Sequence, residues 1–90
     1  MKIKVFYRKN LKMSPGKLAA QAVHAALGLS CLTDIDSEDS VVVLEASDKK
    51  FFEALDKLEE DERVFYAVAD AGRTEVAPGT TTCFAILEED

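Results

Sequence analysis

The 90-residue sequence has no tryptophan, one histidine, two prolines, two cysteines and four glycines. It also has no long apolar run, and each scarcity closes off a class of protein. The longest apolar stretches, Ala22 to Leu29 and Val41 to Leu44, fall well short of the roughly 20 residues a membrane-spanning helix needs. Behind the charges of Met1-Lys2-Ile3-Lys4 there is no apolar signal region, so the expected location is cytoplasmic and no membrane is expected as a partner. Cys31 and Cys83 stand apart, without export signal or Cys-x-x-Cys spacing, and read as reduced thiols rather than a disulfide framework. With His24 as the sole imidazole there is no soft ligand set for structural zinc. The acidic stretches lack the loop-ligand spacing and turn glycine of an oxygen-bound cation site. No metal and no cofactor are expected.

What is present suits a single folded unit. An apolar fraction of 48% with 31% charged residues is a globular mixture, and 90 residues suffice for one core, so residues 1–90 read as one domain. The net charge of −6 argues at first against a polyanionic partner, but the charge is unevenly spread. Residues 1–33 hold Lys2, Lys4, Arg8, Lys9, Lys12 and Lys17 and no acid, whereas the remainder sets 17 acids against five bases. A basic end of this kind can hold a phosphate backbone if its cations converge in space. A solvated surface with chance clustering is the alternative.

Periodicity supplies the elements. Lys2 to Tyr7 alternates as a strand with Ile3 and Val5 on one face. Arg8 to Met13 reads as a basic loop. Ser14-Pro15-Gly16-Lys17 is a helix start, with Ser14 as the cap and Pro15 at the first position. That helix is expected to reach about Leu27, with Gly28 as its stop. After a polar, acid-rich connection, Val41 to Leu44 reads as a strand covered on both faces. Ser47 is expected to cap a second helix carrying Phe51, Phe52, Leu55 and Leu58, with a solvated face of Glu53, Asp56, Lys57, Glu59 and Glu60. Val64 to Ala69 and Thr81 to Leu87 complete the strands. The order strand, helix, strand, helix, strand, strand describes a layered α/β domain. It leaves open whether the last two strands pair.

Two regions carry chemistry. On a wheel of about 100° per residue, Lys17, Gln21, His24 and Gly28 form one stripe of the first helix. Leu18, Ala19, Ala22, Val23, Ala25, Ala26 and Leu29 form the face expected to pack on the sheet. The stripe holds one cation and two uncharged hydrogen-bonding groups, so it reads either as a site or as an ordinary solvent face. The second region, Asp70-Ala71-Gly72-Arg73-Thr74, follows the third strand, where ligand crevices of α/β sheets open. Gly72 and Pro78-Gly79 permit sharp turns there. The alternative is a structural turn in which Asp70 only accepts backbone N–H bonds.

Two segments, KMSPGKLAAQAVHAALG (12–28) and DAGRTEVAPGTTTCFAI (70–86), resemble the two signatures of the type 2 peptidyl-tRNA hydrolases. The YRKNLKM approach and the segment order resemble that family as well. The resemblance implies a three-layer α/β/α fold with a four-stranded mixed β-sheet, one strand running against the others. It implies hydrolysis of the ester between a peptide's carboxyl group and the terminal ribose of tRNA. Carried onto matching positions, it puts the catalytic roles on Lys17, Asp70 and Thr82, with Gln21, His24, Arg73 and Thr74 lining the same region. No Ser–His–Asp set is evident, so direct attack by water is the simpler chemistry. Asp70 would orient or deprotonate that water, with His24 as a positioning group or the alternative base; Lys17 would stabilise the oxyanion or a neighbouring phosphate, and Thr82 would donate a hydrogen bond to substrate or water. Arg8, Lys9, Lys12 and Arg73 would hold tRNA through its phosphates.

The chain departs from the family pattern at Glu75, where glutamine is usual, and at Thr81, often a basic residue. Family members also usually carry an extra helical segment between the first helix and the second strand, where this chain has only Ser30 to Ser40. Its loss would bare one side of the sheet, and on that ground a homodimer is expected. The departures also suit a second reading, a non-catalytic relative that binds tRNA or a protein.

Overall fold

The computed structural model describes residues 1–70 and 79–89. Arg73, Thr74 and Glu75, with Gly72 and Pro78, lie outside the described residues. The element order is as expected: β1 (Lys2–Arg8), α1 (Pro15–Ser30), β2 (Ser40–Ala46), α2 (Asp48–Glu60), β3 (Tyr66–Ala69) and β4 (Thr81–Glu88). Ser14 caps α1, its hydroxyl accepting the Lys17 N–H at 3.3 Å, and Ser47 caps α2 through the Lys50 N–H at 3.4 Å. The expected basic loop contains a 3-10 turn over Lys9–Leu11, closed by Lys12 in a left-handed conformation (φ 51°).

The sheet order is β2-β1-β4-β3. β1 and β2 are parallel, and β4 runs antiparallel to both neighbours, so it alone opposes the other three strands. The open question about the last two strands is thereby answered, since they pair directly. Side chains along β4 alternate between faces. Cys83 and Ala85 pack with Ala25 and Leu29 of α1, whereas Phe84 and Ile86 pack with Phe51 and Leu58 of α2. The two helices therefore cover opposite faces, giving the layers α/β/α.

Four local expectations are corrected. Gly28 does not end α1, which continues to Ser30. A Cβ at Gly28 would overlap the Tyr66 ring, so this glycine serves close approach of α1 to β3. β2 is not covered on both faces: it is an edge strand, with Val41 55% and Val43 44% exposed. The reason lies in α1, which packs on β4, β3 and β1 and does not reach across β2. The buried face of α1 is likewise rotated toward the Lys17–Gln21 stripe. Gln21, Ala25 and Leu29 are its buried residues, while Val23 and Leu27 face outward. Finally, β3 begins at Tyr66 rather than Val64, which is exposed.

Between Ser30 and Ser40 no helix forms, and the uncovered region is an apolar groove of about 510 Å³. Ile3, Val23, Leu27, Ile35, Val41 and Val43 are among its walls.

Candidate active site

Three chain segments meet at one rim of the sheet. Asp70 directly follows β3, Thr82 lies at the start of antiparallel β4, and Lys17 stands in the first turn of α1. The hairpin is pinned where the carboxylate emerges. The Asp70 N–H donates to the Thr80 carbonyl at 2.9 Å, and the Gly79 N–H donates to the Asp70 carbonyl at 2.7 Å. The antiparallel register also breaks between Val68 and Ala69, one step before Asp70. Such irregularities re-aim the chain at the end of a ladder.

From these positions the side chains form one connected network. The Lys17 ammonium donates to Oδ2 of Asp70 in a direct ion pair. Gln21, one turn further along α1, donates from Nε2 to the same oxygen at 3.4 Å. Its Oε1 accepts the Thr82 hydroxyl at 2.5 Å. The network is buried: Gln21, Asp70 and Thr82 are 4%, 6% and 0% exposed. Of the ion pair, Lys17 keeps the larger exposed share of side chain. Burial at this level is tolerated because every polar group has a partner. Beneath it the Cys83 thiol donates to the Gln21 carbonyl at 3.3 Å, and burial raises that thiol's pKa, which marks it as a packing group rather than a nucleophile.

Lys17, Gln21, Asp70 and Thr82 are thus brought together. Gln21 is a buried bridge between the other groups rather than an open substrate contact. Thr82 is fully buried, and its hydroxyl donates to Gln21. His24 is exposed and outside the network, on the wall of a second cleft formed with Gly28, Cys31, Tyr66, Val68 and Ala69. This cleft adjoins the Asp70 end of β3, and nothing in the spacing of the sequence marked Tyr66 as part of it.

Besides Lys17, two more cations of the basic end are paired with acids. Lys4 pairs with Glu88 at 2.8 Å, which holds that carboxyl below its ordinary pKa. Arg8 pairs with Asp48 through two hydrogen bonds, at 3.0 and 2.9 Å. Lys9 and Lys12 are exposed, with no acidic partner among the described residues. Also among the described residues, no group of three or more His, Cys, Asp or Glu is placed to hold a metal ion. No helix there is long and apolar enough to cross a membrane.

The site is thus a buried lysine–carboxylate pair at the rim of a mixed α/β sheet. A family profile described as "Peptidyl-tRNA hydrolase PTH2" matches residues 1–89. The peptidyl-tRNA hydrolase of Haloquadratum walsbyi is 42% identical over 96% of this chain and 84% of its own length. That of Methanothermobacter thermautotrophicus is 35% identical over 100% and 88%, and that of Methanopyrus kandleri 39% over 94% and 82%. The chain belongs to the peptidyl-tRNA hydrolase PTH2 family. The M. thermautotrophicus alignment spans 101 positions against 90 residues here, so that relative has additional residues inside the matched span.

Proposed function

We propose that this chain is an enzyme that hydrolyses the ester between peptide and tRNA, releasing free tRNA, with Lys17 and Asp70 as its catalytic pair. Family membership supports the activity, and the observation that supports these residues is their direct contact at the sheet rim. Asp70 is the group that orients a water and accepts its proton as it attacks the ester carbonyl. The Lys17 ammonium, the more accessible partner, stabilises the oxyanion that develops. Gln21 fixes the carboxylate, and Thr82 fixes Gln21, so Thr82 acts through the amide. Arg73 and Thr74 are assigned to the substrate from the family motif, and His24 to the neighbouring cleft. Lys9 and Lys12, with Arg73, hold phosphates on tRNA, and the enzyme works in the cytoplasm. The apolar groove beside β2 is the face through which a homodimer forms.

Release of tRNA from N-acetylated aminoacyl-tRNA tests the assignment. Asp70→Asn and Lys17→Gln should each lower kcat by about 10²–10³, the scale of a lost oxyanion or base contribution. Truncating one member of this buried pair would also leave the other charge unpaired, at a cost of about 3–5 kcal/mol. Melting curves should therefore accompany the rates. Unchanged turnover in both variants overturns the pair; a wild-type chain that binds tRNA without hydrolysis favours the non-catalytic reading.

A further inference from the structure

Arg8 has the sequence position of a phosphate ligand but a different set of contacts. It ends β1, at the same rim as the ion pair, and its side chain reaches across to the first residue of β4. Nη1 donates to the Thr81 carbonyl at 2.9 Å, while Nε and Nη2 grip both oxygens of Asp48 at 3.0 and 2.9 Å. The guanidinium also lies over the Phe52 ring, 5.1 Å from its centroid, and Phe52 packs edge-on against Phe51 in the core beneath. Asp48 is held in turn, since its N–H donates to Asn10 Oδ1 at 3.3 Å. An arginine with a planar fork committed on two sides and stacked on a third is a fixed strut.

What the strut holds lies next to the chemistry. Thr81 pairs with Ala69, the residue before Asp70, and precedes Thr82, whose hydroxyl anchors Gln21. The β1–β4 ladder ends at Tyr7 and Cys83, so ladder pairing with β1 does not restrain the backbone at Thr81. We propose that Arg8 is a positioning residue: by holding the Thr81 carbonyl to the α2 terminus it sets Thr82, and through Gln21 the Asp70 carboxylate, in register for hydrolysis. The proposal rests on the catalytic reading of Lys17 and Asp70 given above. It separates Arg8 from Lys9 and Lys12, which remain available to the tRNA backbone.

Two variants and three readouts test it: Arg8→Lys and Asp48→Asn, assayed for hydrolysis of N-acetylated aminoacyl-tRNA, for tRNA affinity against salt, and for the NMR signals of the Gln21 side-chain amide. Arg8→Lys keeps the charge and loses the fork. The expected result is a fall in kcat of about tenfold, with the Gln21 amide signals shifted and the tRNA Kd and its salt dependence unchanged. Asp48→Asn should lower kcat less and should not tighten tRNA binding. The opposite pattern would overturn the proposal: weaker binding and a shallower salt dependence for Arg8→Lys at unchanged kcat, or tighter binding for Asp48→Asn. Unmoved Gln21 signals in both variants would also overturn it. Should the wild-type chain prove inactive, the catalytic reading fails on its own, and the Gln21 signals still report whether Arg8 sets the network.

Discussion

The two faces of the sheet are built from different materials. Against α2 the packing is aromatic: Phe84 stacks on Phe6 with centroids 5.2 Å apart and meets Phe51 at 5.0 Å. Against α1 it is aliphatic, with the small residues Ala22, Ala25, Gly28, Cys83 and Ala85 set among Ile3, Val5, Leu29 and Val68. Large rings bury much apolar area and stabilise the domain. Small residues stabilise less per side chain but let a helix backbone approach closely, and only close approach lets Lys17 and Gln21 reach Asp70. The cost of that placement is visible at the other edge, where β2 is left bare beside the apolar groove. Aromatic packing is concentrated on one face and the Lys17–Gln21–Asp70–Thr82 network on the other.

Substitutions on each face test this division. The largest loss of stability is expected from Phe84→Ala, about 3–5 kcal/mol in urea unfolding, with kcat of the remaining folded protein little changed. A comparable loss of kcat would show that the faces are not separable. Gly28→Ala should cost less stability, about 1–3 kcal/mol, and yet reduce hydrolysis, because the new methyl pushes α1 off Tyr66 and Lys17 moves with it. Stability and rate both at wild-type values would refute the close-approach account. In the groove, Leu27→Gln should change monomer stability by no more than about 0.5 kcal/mol while shifting the chain from dimer to monomer in sedimentation. A wild-type chain that sediments as a monomer at all concentrations would refute the dimer.

The smallest effect is expected at the pair of Lys4 and Glu88, toward the opposite end of the sheet from Asp70. Glu88→Gln should cost about 0.2–1 kcal/mol near neutral pH, as exposed pairs do. Because the folded-state pKa of Glu88 is lowered, chiefly by its hydrogen bond from Lys4, its contribution is present above the ordinary carboxylate range and lost as pH falls through the depressed value. Wild type and Glu88→Gln should therefore converge in stability in acid. A gap that widens there would reverse the sign of the linkage.

Much of this arrangement was legible along the chain. Ser14-Pro15 and Ser47 announce their helices because capping is local: a hydroxyl satisfies an N–H three residues away. The spacing of Phe51, Leu55 and Leu58 gave the inner side of α2. Other readings failed for physical reasons that a periodicity cannot express. Val41 to Leu44 has the composition of a buried strand, but burial depends on what lies above it, and α1 is displaced toward β3. Gly28 resembles a helix stop because glycine favours that position, whereas here it is the absent side chain that matters. Phe52 follows the apolar pattern and yet is 41% exposed, serving as the platform under Arg8.

By itself the sequence determined the elements, their caps, the family and the candidates Lys17, Asp70 and Thr82, since these depend on local hydrogen bonds, periodicity and motif. Only the tertiary structure decided how the basic first third is used. Lys4, Arg8 and Lys17 each find an acid 84, 40 and 53 residues away, in Glu88, Asp48 and Asp70. Strand order and helix placement choose those partners, and a linear count of charges contains neither. Distance and desolvation, fixed when the sheet assembles, separate the cations bound into the protein from those left exposed, such as Lys9 and Lys12.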